Sequence, residues 1–264
     1  MTSKYKHAIY KEKIKYLASS SDNLNNRIDI NNKYSKKNLT DWLFNKYVLK
    51  KNMKILEIGC GLGQHVVIYS KIIKSKGLVL ATDISEKSLK NLENYKLKNI
   101  QLKKIDMDKI SYYLTKERLL FDRIVSVYSI YYSKNPLALI KKLLTFLNKK
   151  GELYITIPTK PHTLTSLVNK IKKIPKNVAQ SLDFGEKILI PYLKKKKIRF
   201  NLFHFNNLLK IKKCDDLLKM YRSSTFFMKN IHVEKFLIKK FNSSYNLRKY
   251  FILKKNSLLI KILN

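Results

Sequence analysis

The stretch Lys54-Ile55-Leu56-Glu57-Ile58-Gly59-Cys60-Gly61-Leu62-Gly63 decides how this chain is read. Its first five residues form a short apolar run that ends at a glycine, the pattern of a strand buried on both faces. Glycines then stand at every second position. Glycine adopts positive φ without steric cost and lets backbone approach a ligand closely. After Gly63 the apolar residues continue at helical spacing to about Ser75. A strand, a glycine turn and a helix start bring unpaired backbone N–H groups to one point, where an anion or an adenosine can be held. The spacing Gly59-x-Gly61-x-Gly63 differs from the G-x-G-x-x-G of dinucleotide folds, which disfavours a nicotinamide dehydrogenase.

Short apolar runs and helical patterns alternate outward from this turn through residues 53–159, which predicts βαβ units and a parallel sheet. A second strand over 78–82 ends at Asp83, and Ser85 caps a helix running to about Lys98. A third strand over 100–105 ends at Asp106, and a fourth, Phe121–Val127, ends near Tyr128. Pro136 opens a helix expected to stop at Gly151, Pro inside the start and Gly past the end. A fifth strand covers 153–157. In such a doubly wound sheet the ligand lies at the carboxyl ends of the strands. Asp83, 24 residues after Gly59, stands where a carboxylate accepts both ribose hydroxyls. Asp106 stands where an adenine amine could donate, with Asp108 competing for that role, and Met107 could pack on the adenine face.

Residues 56–63 resemble motif I of class I S-adenosylmethionine-dependent methyltransferases. Ala81-Thr82-Asp83-Ile84-Ser85 resembles their second-strand motif, residues 121–132 their fourth-strand motif, and residues 147–158 their fifth strand. The resemblance covers about residues 53–159 and implies an α/β, Rossmann-like sheet of seven strands whose last strand is antiparallel. Phe251–Leu263 fits that last strand. Asn26-Arg27-Ile28-Asp29-Ile30-Asn31-Asn32-Lys33-Tyr34-Ser35 is similar to an entry segment, R-I-x-L-H-x-K-Y-S, of a bacterial small-molecule subgroup. That segment precedes a helix with Trp42, and Asn31 or Asn32 replaces the subgroup's His. Phe184-Gly185-Glu186 and residues 218–224 resemble later segments of the subgroup. The expected organisation is an N-terminal cap over 1–52, a cofactor core over 53–159, and cap insertions with the final strands over 160–264.

S-adenosylmethionine is the cofactor this implies, held by Glu57, Gly59, Gly61, Gly63, Asp83, Ile84, Asp106, Met107 and Tyr128, with Tyr34 closing over it. Methyl transfer is a direct displacement in which orientation does most of the work, so a missing catalytic triad is no objection. Tyr132 beside the fourth strand and His162 after the fifth are the candidates on the acceptor side, His162 as a base. His65, two residues past the glycine turn, reads as a satisfied helical histidine.

The net charge of +38 suggests nucleic acid, yet only six of the 56 basic residues are Arg, the residue that bidentate recognition favours. Abundant Lys, Asn and Ile fit an AT-rich genome, and residues 126–129 carry no base-amine methylase motif. A small-molecule acceptor is therefore expected, with RNA methylation and a cofactor-binding protein without turnover as alternatives. No apolar run of about 18 residues is present, so no membrane span is expected. Lysines interrupt the first 16 residues, which lack a signal peptide's apolar core. Cys60 and Cys214 make neither a disulfide framework nor a metal-ligand spacing, and a cytoplasmic protein without a metal is expected. The acceptor's identity and the oligomeric state are not written in these residues.

Overall fold

Strand β1 (Lys54–Ile58) is buried after its first residue, as its composition requires. The structure, a computed structural model, describes residues 20–264, so the first part of the expected N-terminal cap lies outside the described residues. The described chain divides into two units built of interleaved segments: a sheet unit of residues 39–158, 183–205 and 257–264, and a helical unit of residues 20–38, 159–182 and 206–256.

In the sheet unit β1 pairs in parallel with β2 (Leu78–Asp83) and β4 (Phe121–Val127), β2 with β3 (Ile100–Lys104), and β4 with β5 (Leu147–His162). The order is β3-β2-β1-β4-β5-β8-β6, with β6 (Phe200–Phe205) antiparallel to β8 (Phe251–Leu263). This is the seven-stranded, doubly wound sheet implied by the motifs. Successive strand residues face opposite sides. Leu56 and Ile58 join Ile124, Leu139 and Leu143 in one core, while Ile55 joins Val66, Tyr69, Leu89 and Leu92 in the other. Burying each such side chain stabilises the fold by about 1.5–3 kcal/mol. The helices of this unit include α2 (Leu39–Phe44), α3 (Gln64–Ile73), α4 (Glu86–Glu93), α5 (Ile110–Lys116) and α6 (Pro136–Leu144).

Two helix ends differ from expectation. Helix α4 ends at Glu93, short of Lys98, because Asn94 caps it and Lys96 turns to positive φ. Helix α6 ends at Leu144, not at Gly151, because Leu147 already pairs with Phe121 as a strand residue. Gly151 instead lies inside β5, where a Cβ would sit 2.8 Å from the Asn148 carbonyl oxygen. The Lys-rich stretch 160–200, expected only as part of the cap insertions, is mostly helical. It carries α7 (Thr163–Ile171), α8 (Lys176–Asp183), a π-helical turn at Phe184–Leu189 and α9 (Ile190–Lys195). Surface lysines mask the pairs Leu164/Val168 and Val178/Leu182, which supply the buried i,i+4 stripes.

The helical unit holds α1 (Ser21–Tyr34), α7, α8, α10 (Cys214–Arg222), α11 (Ile231–Arg248) and β7 (Leu208–Ile211), which pairs with the first part of β8. Helix α1 was not predicted: Ser20 caps it, and its Asn-rich sequence buries Ile30 and Tyr34. These pack with Leu164, Val168, Leu217, Tyr221, Phe226, Leu237 and Leu253. Among the described residues no helix is long and apolar enough to cross a membrane.

Candidate cofactor-binding site

All three motif glycines take positive φ: 70° at Gly59, 52° at Gly61 and 73° at Gly63. At Gly59 a Cβ would lie 2.5 Å from that of Ser129, and at Gly63 2.1 Å from a Leu92 methyl carbon. The turn thus requires glycine twice over, by dihedral and by space. The N–H groups of Gly59 and Cys60 donate to the Thr82 carbonyl, which fastens the turn to the end of β2.

Asp83 completes that fastening. One carboxylate oxygen accepts from the Gly61 N–H and the other from the Ser85 N–H, both at 2.8 Å. Each oxygen has two lone pairs, so the anchored carboxylate retains capacity for two hydroxyl donors. Ile84 beside it is an exposed apolar side chain. At the end of β3, Asp106 caps a short 3₁₀ turn by accepting from the Asp108 N–H at 3.1 Å, and Met107 packs against the neighbouring core. Asp108 is engaged by the Ser133 hydroxyl and the Lys134 N–H, which separates the two acids: Asp108 holds the loop after β4.

Glu57 faces α3 with only 2% of its surface exposed. Its Oε1 lies 3.4 Å from His65 Nδ1, and His65 Nε2 lies 3.3 Å from the Thr40 hydroxyl. Its Oε2 makes no hydrogen bond, nor do the buried hydroxyls of Tyr47, Tyr69 and Thr156. Burial, and then the Glu57 carboxylate, raise the Tyr47 phenol pKa. His65 is therefore a partner of the acid before the glycine turn, a role its sequence position alone did not reveal. The only signal was its place just past Gly63.

Beyond β4, Ser126 and Ser129 share a hydrogen bond of 2.7 Å, and Ser129 donates to the Ile58 carbonyl, stitching the ends of β1 and β4 together. Tyr128 has φ 53° and its hydroxyl is bonded to Ser257; burial pushes that phenol up to about 12. Tyr131 and Tyr132 pack ring against ring at 4.7 Å, with Tyr132 exposed.

The two remaining candidates lie in the helical unit. Tyr34 is buried there and donates to Asp216 at 2.5 Å. His162 ends β5 and caps α7, its Nδ1 facing the Thr165 N–H and hydroxyl. Burial, and then Lys255, pull the imidazole down to about 3.

A methyltransferase-domain family profile matches residues 49–221. The chain belongs to that family. No curated protein matches it by sequence. Among solved structures, a SAM-dependent methyltransferase from Aquifex aeolicus is 16% identical, with 85% of this chain and 89% of that one covered at a TM-score of 0.50. The plantazolicin methyltransferase BpumL, solved with SAH, is 17% identical over 97% and 95% of the two chains at 0.52. The [4+2]-cyclase SpnF is 13% identical over 87% and 86% at 0.52. These likenesses show a class I methyltransferase fold, for which S-adenosylmethionine is the expected cofactor. The residues present fit it: the glycine cradle admits no side chain, Asp83 is anchored as an acceptor, and the uncommitted Oε2 of Glu57 suits a cationic ligand.

Proposed function

We propose that this methyltransferase transfers the methyl group of S-adenosylmethionine to a small-molecule acceptor by direct displacement. The observation that carries this reading is the Asp83 carboxylate locked onto the glycine turn by two backbone N–H groups. In this reading Asp83 accepts from the ribose hydroxyls, and Asp106 accepts from the adenine amine. Ile84 and Met107 cover the adenine faces. Glu57, steadied by His65, meets the methionine ammonium. The Tyr128 hydroxyl is committed to Ser257, so its ring rather than its oxygen meets the ligand. Tyr34 covers the methionine end from the N-terminal segment, and Tyr132 and His162 serve the acceptor. The cofactor, once bound, supplies an electrophilic methyl on a sulfonium. The chain's own contribution is orientation and exclusion of water. An imidazole held near 3 is a weak base at neutral pH, so His162 acts by hydrogen bonding.

Both cysteines are free thiols, which supports a reducing, cytoplasmic setting. A second reading, a cofactor-holding protein with another activity, has one observation in its favour: a [4+2]-cyclase shares the fold.

Thermal unfolding with S-adenosylmethionine, with NAD and with neither tests the cofactor. Ligand at about 100 times its Kd adds ~2.7 kcal/mol, a rise in Tm of roughly 5–10 °C for a chain of this size. A rise with S-adenosylmethionine alone supports the reading, and no rise at saturation overturns it. If the rise occurs but no methyl group reaches any of a panel of acceptors, the second reading takes its place.

A further inference from the structure

The amino ends of the parallel strands in the sheet unit carry charge that the cofactor reading does not use. Lys50 and Lys51 precede β1, Lys74 and Lys76 precede β2, and Lys96 and Lys98 precede β3. Lys116 and Arg118 precede β4, and Lys149 and Lys150 lie at the start of β5, where its register with β4 shifts. All ten are exposed, and none makes an ion pair among the described residues. Hydrogen bonds join these segments into one face. The Asn52 N–H donates to the Ile73 carbonyl at 2.8 Å, and the Asn99 side chain donates to the Lys74 carbonyl at 2.7 Å. Asp122 accepts from the Lys54 N–H at 2.8 Å and from the Asn148 side chain at 2.9 Å.

Neither composition nor helix capping accounts for this charge. A Lys-rich genome would enrich both ends of the sheet alike. Yet residues 59–63, 83–86, 105–109 and 128–135, at the carboxyl ends, hold four acids and only two lysines. Helices α3 to α6 point their C-termini at the basic end, and each supplies only about half a negative charge. The acids beside the ten bases are Glu93, Glu117 and Asp122. Acids and helix ends together balance about half of the positive charge.

The face is concave at one place. A cavity of about 290 Å³ lies between the end of α3 and the start of β3, lined by Lys71, Lys74, Ser75, Leu97 and Lys98 among others. The Asn99 amide donates to the Ser70 carbonyl at 3.0 Å as well as to that of Lys74. Helix-end acceptors that would repel an anion are thus already engaged. Ammonium groups around a cleft suit phosphate oxygens as point charges, without the fork that Arg brings to bases. Tyr95, 57% exposed and next to Lys96, offers a ring on which a base can stack. A flat lipid surface could reach the lysine tips but could not enter the cleft.

We propose that the basic amino-end face of the sheet, centred on the cleft of Lys71, Lys74 and Lys98, docks the sugar-phosphate backbone of single-stranded nucleic acid. The glycine turn stands at the other end of β1, about 16 Å away for a strand of five residues. The docked strand is therefore a tether for the protein and not its methyl acceptor.

Fluorescence anisotropy of a labelled oligouridylate with the whole protein tests this. Binding should weaken as salt rises, the sign of phosphate contacts. Lys50→Gln, Lys74→Gln, Lys98→Gln and Lys150→Gln combined should weaken it about tenfold or more and flatten the salt slope by roughly 0.7 per lysine. A control combining Lys36→Gln, Lys37→Gln, Lys235→Gln and Lys239→Gln removes the same charge from exposed sites of the helical unit. It should bind within about twofold of the unmodified protein. Equal weakening in the two variants would mean that net charge alone acts, and would overturn the proposal. So would a failure to bind the oligouridylate at low salt. Vesicles of phosphatidylcholine and phosphatidylserine in equal parts form the last probe. If the first variant loses vesicle binding while its oligouridylate binding is unchanged, the face belongs to a membrane and the proposal falls. The Tm rise with S-adenosylmethionine should persist in both variants, which separates a lost docking face from a lost fold.

Discussion

In the sheet unit Asp83 is held by the backbone N–H groups of Gly61 and Ser85, 22 and two residues away along the chain. In the helical unit Asp216 of α10 is held by the Lys33 ammonium at 2.8 Å and the Tyr34 hydroxyl at 2.5 Å, side chains of α1. One acid sits among backbone donors; the other sits among side-chain donors. Backbone donors are fixed by the fold and cost little ordering when a ligand arrives, so they suit an invariant part such as an adenosine. Side-chain donors are adjustable and suit the part of a ligand that differs between enzymes.

The contrast breaks if glycine is dispensable in the first unit. Gly63→Val should cost about 3 kcal/mol or more, because it adds strain at φ 73° to a clash with Leu92. A Tm fall of roughly 6–12 °C is expected, with no response to S-adenosylmethionine. An unchanged Tm would mean that the turn is not what shapes the site.

The sheet unit has an exception of its own, and it sharpens the contrast. Glu152 bridges Arg123 at 3.2 Å and Lys261 at 2.6 Å, a network of side chains joining β4, β5 and β8. Burial alone would raise the Glu152 carboxyl, but Lys261, Tyr154 and Arg123 more than offset it and hold it below the usual range. Its stabilisation is present above the unfolded carboxylate pKa and is lost as pH falls through the lower folded value. Glu152→Gln should therefore lose about 2–3 kcal/mol at pH 7, and the gap to the unmodified protein should close in acid below about pH 4. A gap independent of pH would show packing rather than charge at work. Asp83→Ala comes next: it should remove about 2 kcal/mol of the stabilisation by saturating S-adenosylmethionine, read as a smaller Tm rise. An undiminished rise would mean that this carboxylate fastens the turn and meets no ligand.

The effect at His162 is one of pH. Between about 3 in the folded chain and 6.5 in the unfolded one, only the unfolded imidazole binds a proton, so stability falls as pH drops through that window. In His162→Gln the difference between denaturant midpoints at pH 4 and pH 7 should narrow. A difference as wide as before would mean that the ring titrates normally.

What the sequence made legible follows the same division. The glycine turn, the acids at the ends of β2 and β3, and the span of β8 could be read because each depends on residues adjacent in the chain. The end of α6 was misplaced because Gly151, which looks like a helix stop, serves a close approach inside β5. Helices α7 and α8 were hidden by surface lysines, and α1 by asparagines that only a capping serine and two buried side chains make helical. The role of His65 could not be read at all, since what matters about it is a partner, Glu57, that only folding supplies.

Strand β8 also bears on the order of assembly. It lies between β5 and β6 in the sheet and pairs with β7, yet β8 follows all three along the chain. On a ribosome β1 to β5 can associate while β6 and β7 wait, each with its hydrogen-bonding edge open. Both units are therefore completed only once β8 has emerged, and until then the waiting edges are where a chaperone would bind or aggregation would begin.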